Sequence, residues 1–108
     1  MERLRTVNLP VEMRRVFGFL YKNYTEEELR NVLEAYEFAK RQHAEQYRKS
    51  GEPYINHPLK VAQILAEMKL DTVSIKAGLL HDVVEDTGTS LQEIEQRFGK
   101  EVARIVDG

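Results

Sequence analysis

The sequence predicts an all-α domain, and three observations carry that reading. Apolar residues recur at steps of three and four along most of the chain. Only three prolines and six glycines punctuate its 108 residues, and most of them fall between apolar-periodic segments. Helix-start signatures, Thr25 with Glu28 and Ser90 with Glu93, stand ahead of apolar runs. No repeat of fixed period and no low-complexity stretch interrupts the pattern.

The elements follow in order. Residues 1–24 are expected to form a helical lead-in, with Met13, Val16, Phe17, Leu20 and Tyr21 at helical spacing after Pro10. Gly18 weakens that helix. Thr25 opens a stronger one, with Glu26, Glu27 and Glu28 on the positive end of the helix dipole. Its buried stripe is expected to be Val32, Tyr36, Ala39, His43 and Tyr47. Arg48 to Asn56 breaks the pattern, and Ser50-Gly51-Glu52-Pro53 is a turn signal within it.

Pro58 suits the first turn of a third helix, with Leu59, Ala62, Leu65 and Met68 as its buried face. Asp71 caps a fourth helix running to about Asp86, stopped by Thr87-Gly88-Thr89. Ser90 and Glu93 open a fifth, lined by Leu91, Ile94 and Phe98 and ended by Gly99. Val102, Ile105 and Val106 then begin an apolar stripe with no later segment to pack against. Residues 25–108 therefore read as the front part of a larger domain.

Composition excludes several function classes. There are 16 Lys plus Arg against 18 Asp plus Glu, a net charge of -2, which rules out nucleic-acid binding driven by bulk positive charge. No apolar run approaches the ~20 residues that span a bilayer. Residues 1–10 are charged and lack the apolar centre of a signal peptide. There is no Cys, so thiolate metal sites and disulfides are excluded and the cytoplasm is the default location.

Any metal site must then use His, Asp and Glu. His43 lies on an apolar stripe, where a core role outweighs a ligand role. His81 and Asp82 differ. On a helix turning 100° per residue, His81, Glu85, Asp82 and Asp86 fall at about 0, 40, 100 and 140°. Ala77, Leu79, Leu80, Val83 and Val84 take the other side. Gly78 falls inside the polar sector and lets another element come close. An exposed polar face explains the acidic residues well and the His-Asp pair less well. His and Asp suit a divalent ion with open positions, and such an ion activates water. Two ligands are too few, and His57, just before Pro58, is the obvious third.

Charge layout adds to this. Lys40, Arg41, Arg48, Lys49 and Lys60 stand against Glu45 and Glu52 in residues 40–60. Residues 77–96 hold Asp82, Glu85, Asp86, Glu93 and Glu95 with no Lys or Arg. A basic loop facing an acidic helix suits a phosphorylated substrate, although two solvated faces give the same counts.

Arg48-Lys49-Ser50-Gly51-Glu52-Pro53-Tyr54-Ile55-Asn56-His57-Pro58, followed by His81-Asp82-Val83-Val84-Glu85-Asp86-Thr87, resembles the hydrolase domain of the RelA/SpoT family. The resemblance runs from about Thr25 to Gly108. It implies an all-α HD fold and Mn²⁺ held by His57, His81 and Asp82. It implies Glu85 and Asp86 as the catalytic acidic pair. Arg48, with Lys49 and Ser50 beside it, matches the guanine nucleotide pocket. The reaction implied is hydrolysis of the 3′-pyrophosphate of guanosine tetra- and pentaphosphate, (p)ppGpp, to GDP or GTP plus pyrophosphate, in the stringent response. The family's synthetase and ribosome-binding regions have no counterpart here, and neither has its fourth metal ligand, a later Asp for which Asp107 comes too early. On its own, this chain is expected to bind metal weakly and turn over poorly. Two other readings compete. One is a different HD-superfamily nucleotidase or phosphodiesterase. The other is a non-catalytic nucleotide-sensing module, which has no need of the Glu85-Asp86 pair.

Overall fold

The computed structural model describes residues 24–108. The expected lead-in helix before Tyr24 lies outside the described residues. Five helices follow: α1 (Glu26–Gln42), α2 (Asn56–Glu67), α3 (Thr72–Thr87), α4 (Leu91–Phe98) and α5 (Lys100–Asp107). The all-α expectation holds. Among the described residues the only strand-like pairing is one antiparallel bridge between Tyr47 and Pro53.

The helix starts follow from side-chain capping. The Thr25 hydroxyl accepts from the Glu28 N–H at 3.1 Å, and Glu28 Oε1 accepts from the Thr25 N–H at 2.8 Å. That reciprocal box satisfies donors that the first turn otherwise leaves orphaned. Ser90 accepts from the Glu93 N–H at 3.1 Å, but its box is only half made. The Glu93 carboxylate turns instead to Arg97 Nε at 3.0 Å, one turn along. α2 has no side-chain cap. Its first N–H groups are used by a preceding turn, Asn56 to the Pro53 carbonyl and His57 to the Tyr54 carbonyl, and Pro58 has no N–H to satisfy.

α3 is the central element and packs against α1, α2 and α5. Its buried face is Ile75, Ala77, Leu79, Leu80 and Val83. These meet Leu29, Val32, Tyr36 and Ala39 of α1 and Leu59, Ala62 and Ala66 of α2 in one core. Gly78 is where α2 and α3 come closest. A Cβ there would lie 2.9 Å from Leu65 Cδ1 and 3.3 Å from Val61 Cγ1.

Three packing expectations change. Tyr47 is not on α1; that helix ends at Gln42, the chain turns at His43, and Tyr47 is 64% exposed. Met68 is 62% exposed, because repeated steps of three drift around a 3.6-residue helix and carry it away from Leu59, Ala62 and Ala66. Val102 and Val106 are already buried, in the core that α3 shares with α5, and Ile105 alone of that stripe is exposed. Among the described residues no helix is long and apolar enough to cross a membrane.

Candidate active site

His81 and Asp82 sit midway along α3, on the side away from its buried face. His57 sits in the first turn of α2. The three line one cavity of about 500 Å³ between those helices. Its other walls are mostly apolar, with Val61, Leu65, Leu70, Ala77 and Ile105 among them. Gly78 lines the same cavity, so the close α2–α3 crossing forms part of its wall.

Asp82 is the most engaged group. Its Oδ1 accepts from His81 Nδ1 at 3.1 Å, and its Oδ2 accepts from the Tyr54 hydroxyl at 2.9 Å. Burial pushes the Asp82 carboxyl up, but the hydrogen bonds from His81 and Tyr54 and the nearby charges of His81 and His57 outweigh it, and the carboxyl lies below its usual range. It is therefore ionised at neutral pH. The bond to Nδ1 orients the exposed His81 ring and leaves Nε2 free to ligate.

These donors fit a divalent ion by their chemistry. Imidazole and carboxylate are borderline-to-hard ligands of the kind such ions take. A carboxylate offers about four lone-pair directions, so the two hydrogen bonds to Asp82 do not exhaust it. Among the described residues no three His, Asp or Glu side chains are already closed around a single point.

The remaining predicted residues are placed differently. Asp86, one turn beyond Asp82, is exposed, and its Oδ2 accepts from the same Tyr54 hydroxyl at 3.1 Å. Glu85 is exposed beside it. Arg48, Lys49 and Ser50 are exposed on the loop before α2 and do not line the cavity. Their turn is closed by main-chain bonds from the Gly51 N–H to the Arg48 carbonyl and from the Arg48 N–H to the Glu52 carbonyl.

Sequence reasoning missed Tyr54. It is the one tyrosine of residues 48–58, and neither charge nor helical spacing marks it out there. Burial, then the hydrogen bonds to Asp82 and Asp86, drive its phenol well above the ordinary range, so it stays protonated and donates. His43 is a core residue, as expected. It is 2% exposed, with Nδ1 2.8 Å from Gln46 Oε1.

Comparison with known proteins gives the family. The model for the HD domain family matches residues 35–108. This chain belongs to the HD domain family. It is 47% identical over 108 residues to a guanosine-3′,5′-bis(diphosphate) 3′-pyrophosphohydrolase of Aquifex aeolicus, covering 100% of this chain and 15% of that protein. It is 53% identical over 83 residues to the bifunctional (p)ppGpp synthase/hydrolase SpoT of Escherichia coli, covering 77% of this chain and 12% of that one. A solved structure described as a metazoan ortholog of SpoT that hydrolyzes ppGpp superposes with a TM-score of 0.67 at 36% identity, over 71% of this chain and 46% of that one. The HD domain therefore spans a small part of the curated relatives it matches. The resemblance of the 48–58 and 81–87 motifs to the RelA/SpoT family is borne out.

Proposed function

We propose that this HD domain holds a divalent metal, Mn²⁺, and serves the hydrolysis of the 3′-pyrophosphate of guanosine tetra- and pentaphosphate in the cytoplasm. The observation that carries the proposal is that His57, His81 and Asp82 line one cavity, with Asp86 tethered beside Asp82 through Tyr54. The relatives named for this reaction support it.

His57, His81 and Asp82 are the residues that would hold the ion. When bound, it makes water more acidic and draws charge from the phosphate. The other roles fall to the chain itself. Asp86, with Glu85 next to it, would orient the attacking water and take its proton. Water adds its oxygen to the phosphorus, the bond from that phosphorus to the 3′ oxygen breaks, and the proton passes to the leaving oxygen. Arg48 offers a planar cation able to stack on a purine, and Lys49 a compact charge for a phosphate. Their exposure on a short closed turn suits a ligand that arrives from solvent.

The test uses the full natural protein. Mn²⁺ is titrated by calorimetry, and pyrophosphate release is followed with ppGpp against a panel of deoxynucleoside triphosphates and cyclic nucleotides. His57→Ala and Asp82→Ala are expected to lose both metal binding and turnover. Undiminished Mn²⁺ affinity in both variants removes the metal assignment. Preference for another member of the panel removes the substrate assignment.

A further inference from the structure

We propose that Tyr54 is a positioning residue, whose single hydroxyl fixes the Asp82 and Asp86 carboxylates relative to each other. The inference rests on the proposed function above and adds a residue to it.

Asp82 and Asp86 are four apart on α3 and share one face. Like charges at that spacing repel, and each side chain can relieve the repulsion by rotating away. The Tyr54 oxygen sits between them, 2.9 Å from Asp82 Oδ2 and 3.1 Å from Asp86 Oδ2. A phenol has one proton to give, so the two carboxylates share it. Sharing holds both oxygens within reach of one point. Asp86 is exposed, and no other described group fixes its carboxylate.

The hydroxyl can hold them only if the ring is itself held, and three segments hold it. The ring stacks on His43 at the end of α1, with centroids 4.8 Å apart and planes at 28°. It meets the His57 ring of α2 edge-on at 6.2 Å. Its main-chain N–H donates to the Gln46 carbonyl at 2.9 Å. Gln46 joins the set to α3 directly, since its Nε2 donates to the Asp86 carbonyl at 2.7 Å. That bond makes Oε1 the acceptor end of the Gln46 amide, so His43 Nδ1 donates to it. His43 and Gln46 therefore form a rigid base under Tyr54.

A plain structural tie between loop and helix would show the same contacts. The two roles differ in what the hydroxyl alone does. Tyr54→Phe keeps the ring, its stacking and its main-chain bond. The experiment measures kcat and KM for ppGpp, and the melting temperature, in the full natural protein with Mn²⁺, for Tyr54→Phe, Asp86→Asn and the double variant, with His57→Ala as a control. Tyr54→Phe is expected to lower kcat by on the order of ten-fold or more with KM changed by less than about three-fold, because a misplaced carboxylate costs rate rather than binding. In the Asp86→Asn background the same change should cost little more, since the group it holds is already gone.

Wild-type kcat in Tyr54→Phe while His57→Ala is dead overturns this inference and leaves the proposed function standing. Losses that multiply in the double variant overturn it as well. So does a fall in kcat that only follows a collapse of the melting transition. Full turnover in His57→Ala removes the proposed function, and Tyr54's role with it.

Discussion

Gly78 on α3 faces Leu65 on α2 so closely that a methyl group there would lie 2.9 Å from Leu65 Cδ1. The contact sets both the helix crossing and the wall of the cavity that His57, His81 and Asp82 share. Gly78→Ala is expected to gain about 1 kcal/mol of helix propensity and lose ~1–3 kcal/mol to overpacking. Val61 Cγ1 lies 3.3 Å from the same added methyl, so two side chains must give way and the loss should win by roughly 1 kcal/mol. Urea unfolding checks it. A gain in stability would mean that Leu65 swings aside freely into the cavity.

Lys69 tests a feature the sequence concealed. It follows α2 with φ of 61°, the left-handed region usually left to glycine. The Leu70 N–H donates to the Leu65 carbonyl and the Lys69 N–H to the Ala66 carbonyl, which together close the end of the helix. Lys69→Gly removes the steric strain of that conformation and is expected to stabilise by about 0.5–1 kcal/mol. A melting temperature unchanged or lowered would show that the strain is absent or that unfolded-chain entropy outweighs it.

That position also shows where legibility stopped. Helix starts were readable because Thr25, Asp71 and Ser90 carry their own capping oxygens, each used as expected. The ends at Gly88 and Gly99 were readable because both need positive φ. The end of α2 was not, because a lysine takes the place of the usual glycine. The His81-Asp82 pair stood out through helix angles alone, and Gly78 was read correctly as a point of close approach. Tyr54 did not, because its role depends on a loop folding back over α3, and no periodicity encodes that contact. Arg48, Lys49 and Ser50 could be matched by motif, but they sit on an exposed turn away from the cavity, where only the Ser50 hydroxyl has a local bond, from the Glu52 N–H.

Asp71 gives a pH-dependent prediction away from the site. Its Oδ1 accepts from the Ser74 N–H at 2.9 Å, and that bond holds its carboxyl below the usual range. A depressed folded pKa gives stability that is present above the unfolded value, about 4, and lost as pH falls through the folded one. Because Asp71 is exposed, solvent screens part of the effect. Asp71→Ala should cost about 1 kcal/mol at neutral pH as the loss of an N-cap, and the gap to wild type should narrow below about pH 4. A gap independent of pH down to the acid transition would contradict the ionised cap.

The loop and the helix should separate in kinetics. Arg48 is exposed, and its turn is shaped by main-chain bonds to Glu52 and Gly51 rather than by its side chain. Arg48→Ala therefore leaves the loop intact and removes only the cation proposed to meet the ligand. Its cost should fall on KM and on the Kd for a guanine nucleotide, with kcat little changed. Asp86 lies one turn past Asp82 and is tied to it through Tyr54. Asp86→Ala leaves His57, His81 and Asp82 in place, so Mn²⁺ should still bind. If Asp86 handles the proton as proposed, kcat should fall by on the order of 10²-fold or more. Glu85 stands on the same exposed face and should behave in the same direction. Steady-state kinetics on ppGpp, paired with Mn²⁺ calorimetry, checks the split in the full natural protein. An unchanged nucleotide Kd in Arg48→Ala would remove the stacking role. Near-normal kcat in both acidic variants would leave water activation to the metal ligands alone and take Asp86 out of the chemistry.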